Sequence, residues 1–254
     1  MRYLFLSDIH LGAFSPANEY ELQSDLLSII DYCISESVKI YLLGDLFDYW
    51  MEYPDYVPPL GRAILDRFEK YNTQCGSATF ITGNHDFWDF GHFSERGFEV
   101  EHEYLEISIN GSRGLLFHGD GLSDPFFALP RPLLNHLLRA PEFVKLFQSV
   151  FAAETGNHLM KSFSDFTRNE RSADTAKLSE WADFFLKKSD FDFIITGHDH
   201  VPRVETYSSG NYINTGAFFK YRTLAIYTEQ GFELVTLENG TLRPFAGSTS
   251  STRS

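Results

Sequence analysis

The chain has 254 residues, of which 43% are hydrophobic, enough to bury a core; that excludes intrinsic disorder, a collagen-like chain and a disulfide-stapled mini-protein. Its 21 Lys and Arg stand against 35 Asp and Glu, a net charge of −14, which excludes general nucleic-acid binding because phosphate attraction needs a basic face. A small phosphorylated substrate stays open, since bound cations reverse the sign locally. The two cysteines, Cys33 and Cys75, form no close-spaced pair, and Cys33 falls on an apolar stripe as a buried thiol. No leader-like stretch opens the chain, and no apolar run nears the roughly 18 residues of a membrane span, so a cytoplasmic protein is expected.

In chain order, Tyr3-Leu4-Phe5-Leu6 reads as a short buried strand. Between Tyr20 and Ile34 the residues Leu22, Leu26, Ile29, Ile30, Cys33 and Ile34 keep the spacing of one helix face. Residues 40–43 predict a second strand, 59–71 a helix opened by Pro58-Pro59, and 78–81 a third strand. This βαβα order predicts an α/β fold with a parallel sheet at its start. Residues 99–109 and 113–117 read as strands joined at Asn110-Gly111, a hairpin signal. The spans 191–196, 211–214, 222–228 and 232–237 read as further short strands, so two mixed sheets with outer helices fit better than one doubly wound sheet.

Residues 124–171 differ from their surroundings. They are rich in Leu, Phe and Val, carry six basic and five acidic residues in a chain of −14, and are cut into short helices by Pro130, Pro132 and Pro141. One reading is an ordinary helical cover over an edge of the core. The other is a lid with an apolar trough and basic rims, suited to acyl chains or a membrane surface. The expected organisation is one domain over 1–246 with this insertion, followed by a polar tail at 247–254 without structure.

Five short motifs each follow a strand-like run: Ser7-Asp8-Ile9-His10, Gly44-Asp45-Leu46-Phe47-Asp48, Gly83-Asn84-His85-Asp86, His118-Gly119-Asp120 and Gly197-His198-Asp199-His200. Each alone is an ordinary turn. Jointly they are not, because loops at the carboxyl ends of neighbouring strands converge on one face of a sheet. Asp-x-His and His-x-His also place two donors on one side of an extended stretch. Asp, Asn and His without cysteine suit Mn²⁺, Fe or Zn²⁺, and seven donors exceed what one cation with open positions uses. Two cations sharing a carboxylate fit the count. The chemistry this implies is hydrolysis at phosphorus, with a water activated between the ions.

This ordered set, across residues 8–200, resembles the signature of the calcineurin-like metallophosphoesterases. The resemblance implies a four-layer α/β/β/α sandwich of two mixed sheets. It implies two divalent cations, Mn²⁺ foremost and Fe or Zn²⁺ as alternatives. One would be held by Asp8, His10, Asp45 and His200, the other by Asp45, Asn84, His118 and His198. His85, with Asn84, would meet the phosphoryl group as the catalytic residue, while Asp48 and Asp86 would fix loops rather than ligate. Within the superfamily, Ser7-Asp8-Ile9-His10-Leu11-Gly12, Gly44–Trp50, Gly83–Trp88 and His118–Gly121 followed by a helical insertion resemble the UDP-2,3-diacylglucosamine diphosphatases of lipid A synthesis. That likeness implies release of UMP and a diacylated sugar 1-phosphate, and an enzyme on the inner face of the cytoplasmic membrane. It makes Lys161, Arg168 and Arg171 of the insertion candidates for substrate phosphates. His85 departs from the best-known branch, which has Arg there, and matches the general superfamily state; a phosphatase or phosphodiesterase for another substrate, such as a cyclic nucleotide, is the alternative. A binding module without turnover would have lost donors, whereas all seven positions carry competent side chains. The oligomeric state is not legible.

Overall fold

The computed structural model describes residues 2–170, 175–246 and 251–252, with backbone alone at 163, 165–170 and 251–252. The chain runs β1 (Tyr3–Leu6), α1 (Pro16–Glu36), β2 (Lys39–Leu43), α2 (Arg62–Cys75), β3 (Thr79–Ile81), α3 (His92–Glu95), β4 (Glu99–Glu101), β5 (Tyr104–Ile109) and β6 (Ser112–Phe117). Then come α4 (Leu133–Arg139), α5 (Pro141–Val150), α6 (Ala153–Glu170), α7 (Thr175–Leu186), β7 (Phe193–Thr196), β8 (Arg203–Tyr207) and β9 (Gly210–Asn214). The last elements are α8 (Phe218–Tyr221), β10 (Thr223–Thr228), β11 (Gly231–Glu238), β12 (Thr241–Pro244) and β13 (Ser251–Thr252).

Strand residues alternate between two apolar environments, which makes layers. In β1, Leu4 and Leu6 join the cluster under α1 and α2, while Phe5 faces inward with Tyr41 and Leu43 of β2. In β7, Ile194 packs under α7 against Trp181 and Phe185, while Phe193 and Ile195 face inward. Both faces of these strands are therefore buried, as continuous apolar runs require. One sheet has the order β12-β11-β10-β1-β2-β3-β4 and the other β13-β8-β9-β7-β6-β5. β1 to β4 pair in parallel, as do β6 with β7 and β7 with β9, whereas β10 to β12, β5/β6 and β8/β9 are antiparallel. The α/β/β/α sandwich of two mixed sheets is the architecture the sequence predicts.

Helix α1 begins where Ser15 accepts from the Asn18 amide and Pro16 takes the first turn, four residues before the periodic stretch. At Asn110 and Gly111 φ is 51° and 88°, the paired positive values of a two-residue hairpin loop, and Ile109 pairs with Ser112. One expectation is corrected. Residues 99–109 are two strands: β4 closes the first sheet beside β3, and the chain crosses at His102-Glu103 so that β5 lies in the second. The insertion is helical as expected, with α5 opened by Pro141, and Val144 packs with Met51 and Trp88 as a small cluster of its own. Of the expected tail, Ser251–Thr252 run parallel to Glu205–Thr206, and 247–250 and 253–254 lie outside the described residues.

Candidate active site

All five motifs leave the carboxyl ends of β1, β2, β3, β6 and β7, and the two sheets bring those ends together. The first two loops are laced by the Asp8 amide on Gly44 O (3.1 Å) and the His10 amide on Asp45 O (3.0 Å). The fourth and fifth meet through the Gly197 amide on His118 O (2.9 Å), and the His198 amide donates to Asp8 Oδ2 (3.0 Å) across the sheets. Backbone strain concentrates here: Asp8, His10, Asp45, His198 and His200 have φ of 53°, 53°, 55°, 72° and 64°. Side chains with a Cβ visit this region at a cost of about 1–3 kcal/mol each, and keep it only where surroundings over-determine it. Two glycines permit the crowding. A Cβ at Gly83 would collide with the Asp45 carboxylate, and one at Gly197 with Ser7 Oγ and Asp8 Oδ2.

The predicted donors converge. His200 Nε2 lies 3.3 Å and His10 Nε2 3.9 Å from Asp8 Oδ1, and His10 Nε2 lies 3.7 Å from Asp45 Oδ2. On the other side of Asp45, His118 Nε2 is 3.2 Å from Oδ2, 3.1 Å from Asn84 Oδ1 and 3.2 Å from His198 Nδ1. Asp45 therefore stands between the two halves of the cluster. The triplets Asp8/His10/His200 and Asp8/Asp45/His118 each offer ligand atoms within 4.8 Å of one another. A third triplet, His10/Asp45/His85, puts His85 at the same centre, its Nε2 4.0 Å from Asp45 Oδ2.

The residues fit a pair of divalent cations. Asp8 Oδ1 and His10 Nε2 are buried with no hydrogen-bond partner among the described residues, although both face other donors. Burial alone would raise the Asp45 carboxyl, but His118 and His85 outweigh it and hold it well below the carboxylate range. Burial likewise opposes the shift at Asp8, which His200 brings down to about 2. Burial would lower His118, yet Asp45 lifts it to about 10; burial, with His118 beside it, drops His198 to about 4. A cluster that draws a proton onto a buried imidazole has an excess of negative charge to neutralise, the condition that favours a cation.

Asp48 and Asp86 take the loop-fixing places expected. Asp86 accepts from the amides of Gly83 (2.7 Å), Leu46 (2.7 Å), Asp45 (3.3 Å) and Phe47 (3.3 Å), and Asp48 Oδ1 lies 3.3 Å from His10 Nδ1. His85 Nδ1 is 2.7 Å from Asp48 O and 2.9 Å from Ser164 Oγ of α6. Lys161 is half-buried, its Nζ 5.8 Å from the Tyr49 ring. Arg168 lies on α6 with its side chain beyond the described atoms, and Arg171 lies outside the described residues. Sequence reasoning missed Ser164 and Arg139. Half-buried Arg139 donates to Gly83 O (2.7 Å) and His102 O (3.0 Å), sits 3.3 Å from Asp120 Oδ2, and lies 4.7 Å from the Phe87 ring. Nothing in its local spacing marks it, because Gly83 is 56 positions away.

A cavity of about 410 Å³ adjoins the third motif, between Phe87, Trp88 and Phe90 on one side and Arg139, Val144 and Lys145 on the other. Among the described residues no helix is long and apolar enough to cross a membrane.

Comparison with known proteins agrees with this geometry. The chain is 25% identical over 254 aligned residues, 94% of its own length and 100% of the other, to a UDP-2,3-diacylglucosamine hydrolase of Shewanella piezotolerans. A protein of that description from Porphyromonas gingivalis is 31% identical over 117 residues, where the match spans 46% of this chain and 45% of the relative. In fold it is similar to a double mutant of Vps29 from Entamoeba histolytica, with TM-score 0.50, 12% identity and 96% of each chain covered. The calcineurin-like phosphoesterase profile matches residues 1–202, the span that holds all seven donors, and the chain belongs to that family.

Proposed function

We propose that the protein hydrolyses the pyrophosphate of a nucleotide-linked lipid, UDP-2,3-diacylglucosamine, to UMP and a diacylated sugar 1-phosphate. The observation that carries the reading is an apolar, lid-walled cavity beside the donor cluster: His85 of the third motif belongs to the cluster, and the residues that follow the motif, Phe87 and Trp88, line the cavity. The relatives from Shewanella piezotolerans and Porphyromonas gingivalis are described as UDP-2,3-diacylglucosamine hydrolases, which supports the reading.

Asp8, His10, Asp45 and His200 would hold one divalent cation, and Asp45, Asn84, His118 and His198 the other. When bound, the pair supplies Lewis acidity toward a water and the phosphoryl oxygens. The chain's own part is orientation. Asp86 pins the second and third loops by their amides, and the Asp45 carboxylate takes the His85 amide at 3.0 Å, which aims the imidazole at the centre. With Nδ1 engaged by Asp48 O, His85 Nε2 is left facing the centre, where it would meet a phosphoryl or leaving oxygen. Asn84 and His85 would contact the reacting phosphate, and Lys161, Arg168 and Arg171 the remaining phosphates. The lid excludes water from the acyl side.

Mn²⁺ is the proposed metal, since an N/O donor set without thiolate suits it. A cytoplasmic protein resting on the inner membrane face is the proposed location. Leu133, 89% exposed, with Leu134 and Leu137 on α4 and Leu146 and Val150 on α5, supports an apolar contact there.

Incubation of the protein with Mn²⁺ and UDP-2,3-diacylglucosamine should release UMP, and Asp45→Ala should abolish it. Hydrolysis of a cyclic nucleotide or chromogenic phosphodiester with the lipid untouched would replace this substrate by the alternative.

A further inference from the structure

Between the two histidines of the fifth motif stands a carboxylate that the donor cluster does not use. Asp199 is buried, and its Oδ1 accepts from the Val201 amide and Arg203 Nη1, both at 3.0 Å, while Oδ2 accepts from Arg203 Nη2 at 2.6 Å. Arg203, at the start of β8, directs its other donations to Ser179 Oγ (3.1 Å), Thr175 O (3.2 Å), Val201 O (2.9 Å) and the Tyr212 hydroxyl (3.3 Å). The Glu205 carboxylate lies 3.9 Å from its Nε. Thr175 and Ser179 belong to the first turns of α7, the helix that follows the lid in the chain.

A buried ion pair is a weak source of stability, because desolvation offsets its attraction. Its geometry is informative instead: a two-pronged guanidinium–carboxylate contact fixes the plane and direction of the carboxylate. That carboxylate is the middle residue of a turn whose neighbours, His198 and His200, both have left-handed backbones. Strain of this kind persists only where contacts over-determine it, and within this motif the Arg203 fork is such a contact.

We infer that Asp199 and Arg203 are a positioning pair, which holds the strained His198–His200 turn so that both imidazoles reach the acidic donors, and ties that turn to the first turns of α7. The inference rests on the two-cation reading. It assigns neither residue a contact with cation or substrate.

The test is calorimetric Mn²⁺ titration of the full-length metal-free protein, as wild type, Asp199→Asn, Arg203→Lys and Leu186→Ala. The last thins the apolar cluster beneath α7 without touching the motif. Loss of an outer contact of this type lowers cation affinity by roughly 10–100-fold. Asp199→Asn and Arg203→Lys should show that loss, whereas Leu186→Ala should melt earlier and bind as wild type does. Either motif variant, if folded, is sufficient. Wild-type affinity in the motif variants, or an equal loss in Leu186→Ala, overturns the inference and leaves the two-cation reading standing. A wild-type protein that takes up no Mn²⁺ overturns both.

Discussion

Gly83→Ala changes no donor and yet should disable the site. The backbone of Gly83 does not have a positive φ, so alanine brings no conformational penalty and the effect is purely one of space. The added Cβ would stand 2.7 Å from Asp45 N and 2.8 Å from Asp45 Cγ, and closer still to Oδ1. Ordinary contact begins at 3.4 Å, which requires retreats of at least about 0.7 Å and 0.6 Å from these two atoms, and more from the oxygen. Asp45 has little room to yield: its amide is held by Asp86 and its Oδ1 by the His85 amide. Overpacking costs about 1–3 kcal/mol, or roughly 2–12 °C in Tm for a chain of this size. Because Asp45 lies between the two halves of the cluster, the same shift should weaken Mn²⁺ binding and lower turnover by about 100-fold. Gly114→Ala is the control, since its Cβ would strike the Phe193 ring between the sheets, away from the cations. It should lower Tm alone. Calorimetric Mn²⁺ titration and UMP release at a temperature where both variants are folded decide the matter. A Gly83→Ala protein that binds and turns over as wild type does would refute the close-approach argument.

His85→Ala should leave Mn²⁺ affinity largely intact and reduce turnover by about 10²–10⁴-fold, read from parallel titration and rate measurements; metal loss would instead make His85 a ligand. Asp86→Asn presents an amide NH₂ to a carboxylate site lined with four backbone donors, and each orphaned amide costs about 1–3 kcal/mol, so thermal melting should fall sharply. Val144→Trp should fill the lid cavity and lower kcat/KM on the lipid nucleotide by roughly 10–200-fold, while a small chromogenic phosphodiester is cleaved as before. Mn²⁺ at 100 times its Kd should stabilise the protein by about 2.7 kcal/mol, roughly 5–11 °C in Tm, and chelation should reverse it; Asp45→Asn should show little such shift.

Much of this was legible because the donors sit where strands end. A run such as Phe193-Ile194-Ile195 followed by Gly-His-Asp-His announces both a buried strand and what its loop presents. The break at His102-Glu103 was not legible, because 99–109 reads as one strand-like run and only the spacing between sheets divides it. Helix α7 carries plain helical spacing at Leu178, Trp181, Ala182 and Phe185, so its signal was present but was overshadowed by the chemistry before and after it. The left-handed backbones at Asp8, His10 and Asp45 had only a weak sequence signal, since Asp and His visit positive φ more often than most side chains but far less readily than glycine. Arg139 and Ser164 act across 56 and 79 positions, a relation set by the lid's packing rather than by any local pattern.

The buried carboxylates also divide in a way that identifies the site by its electrostatics. Asp120 lies beside Arg131 and Arg139, Asp199 has Arg203, and Asp86 is surrounded by four amides. Two of these acids have a permanent positive charge beside them, and Asp86 has both oxygens covered by amides, as a buried carboxylate requires. Asp8 and Asp45 are buried as deeply, but their ion partners among the described residues are histidines alone. Imidazoles are neutral donors unless they borrow a proton, and neutral imidazole with carboxylate is the ligand chemistry of divalent cations. A fold that gives arginine to Asp120 and Asp199, and gives the two carboxylates at its centre only imidazoles as ion partners, has left those two for an ion to neutralise.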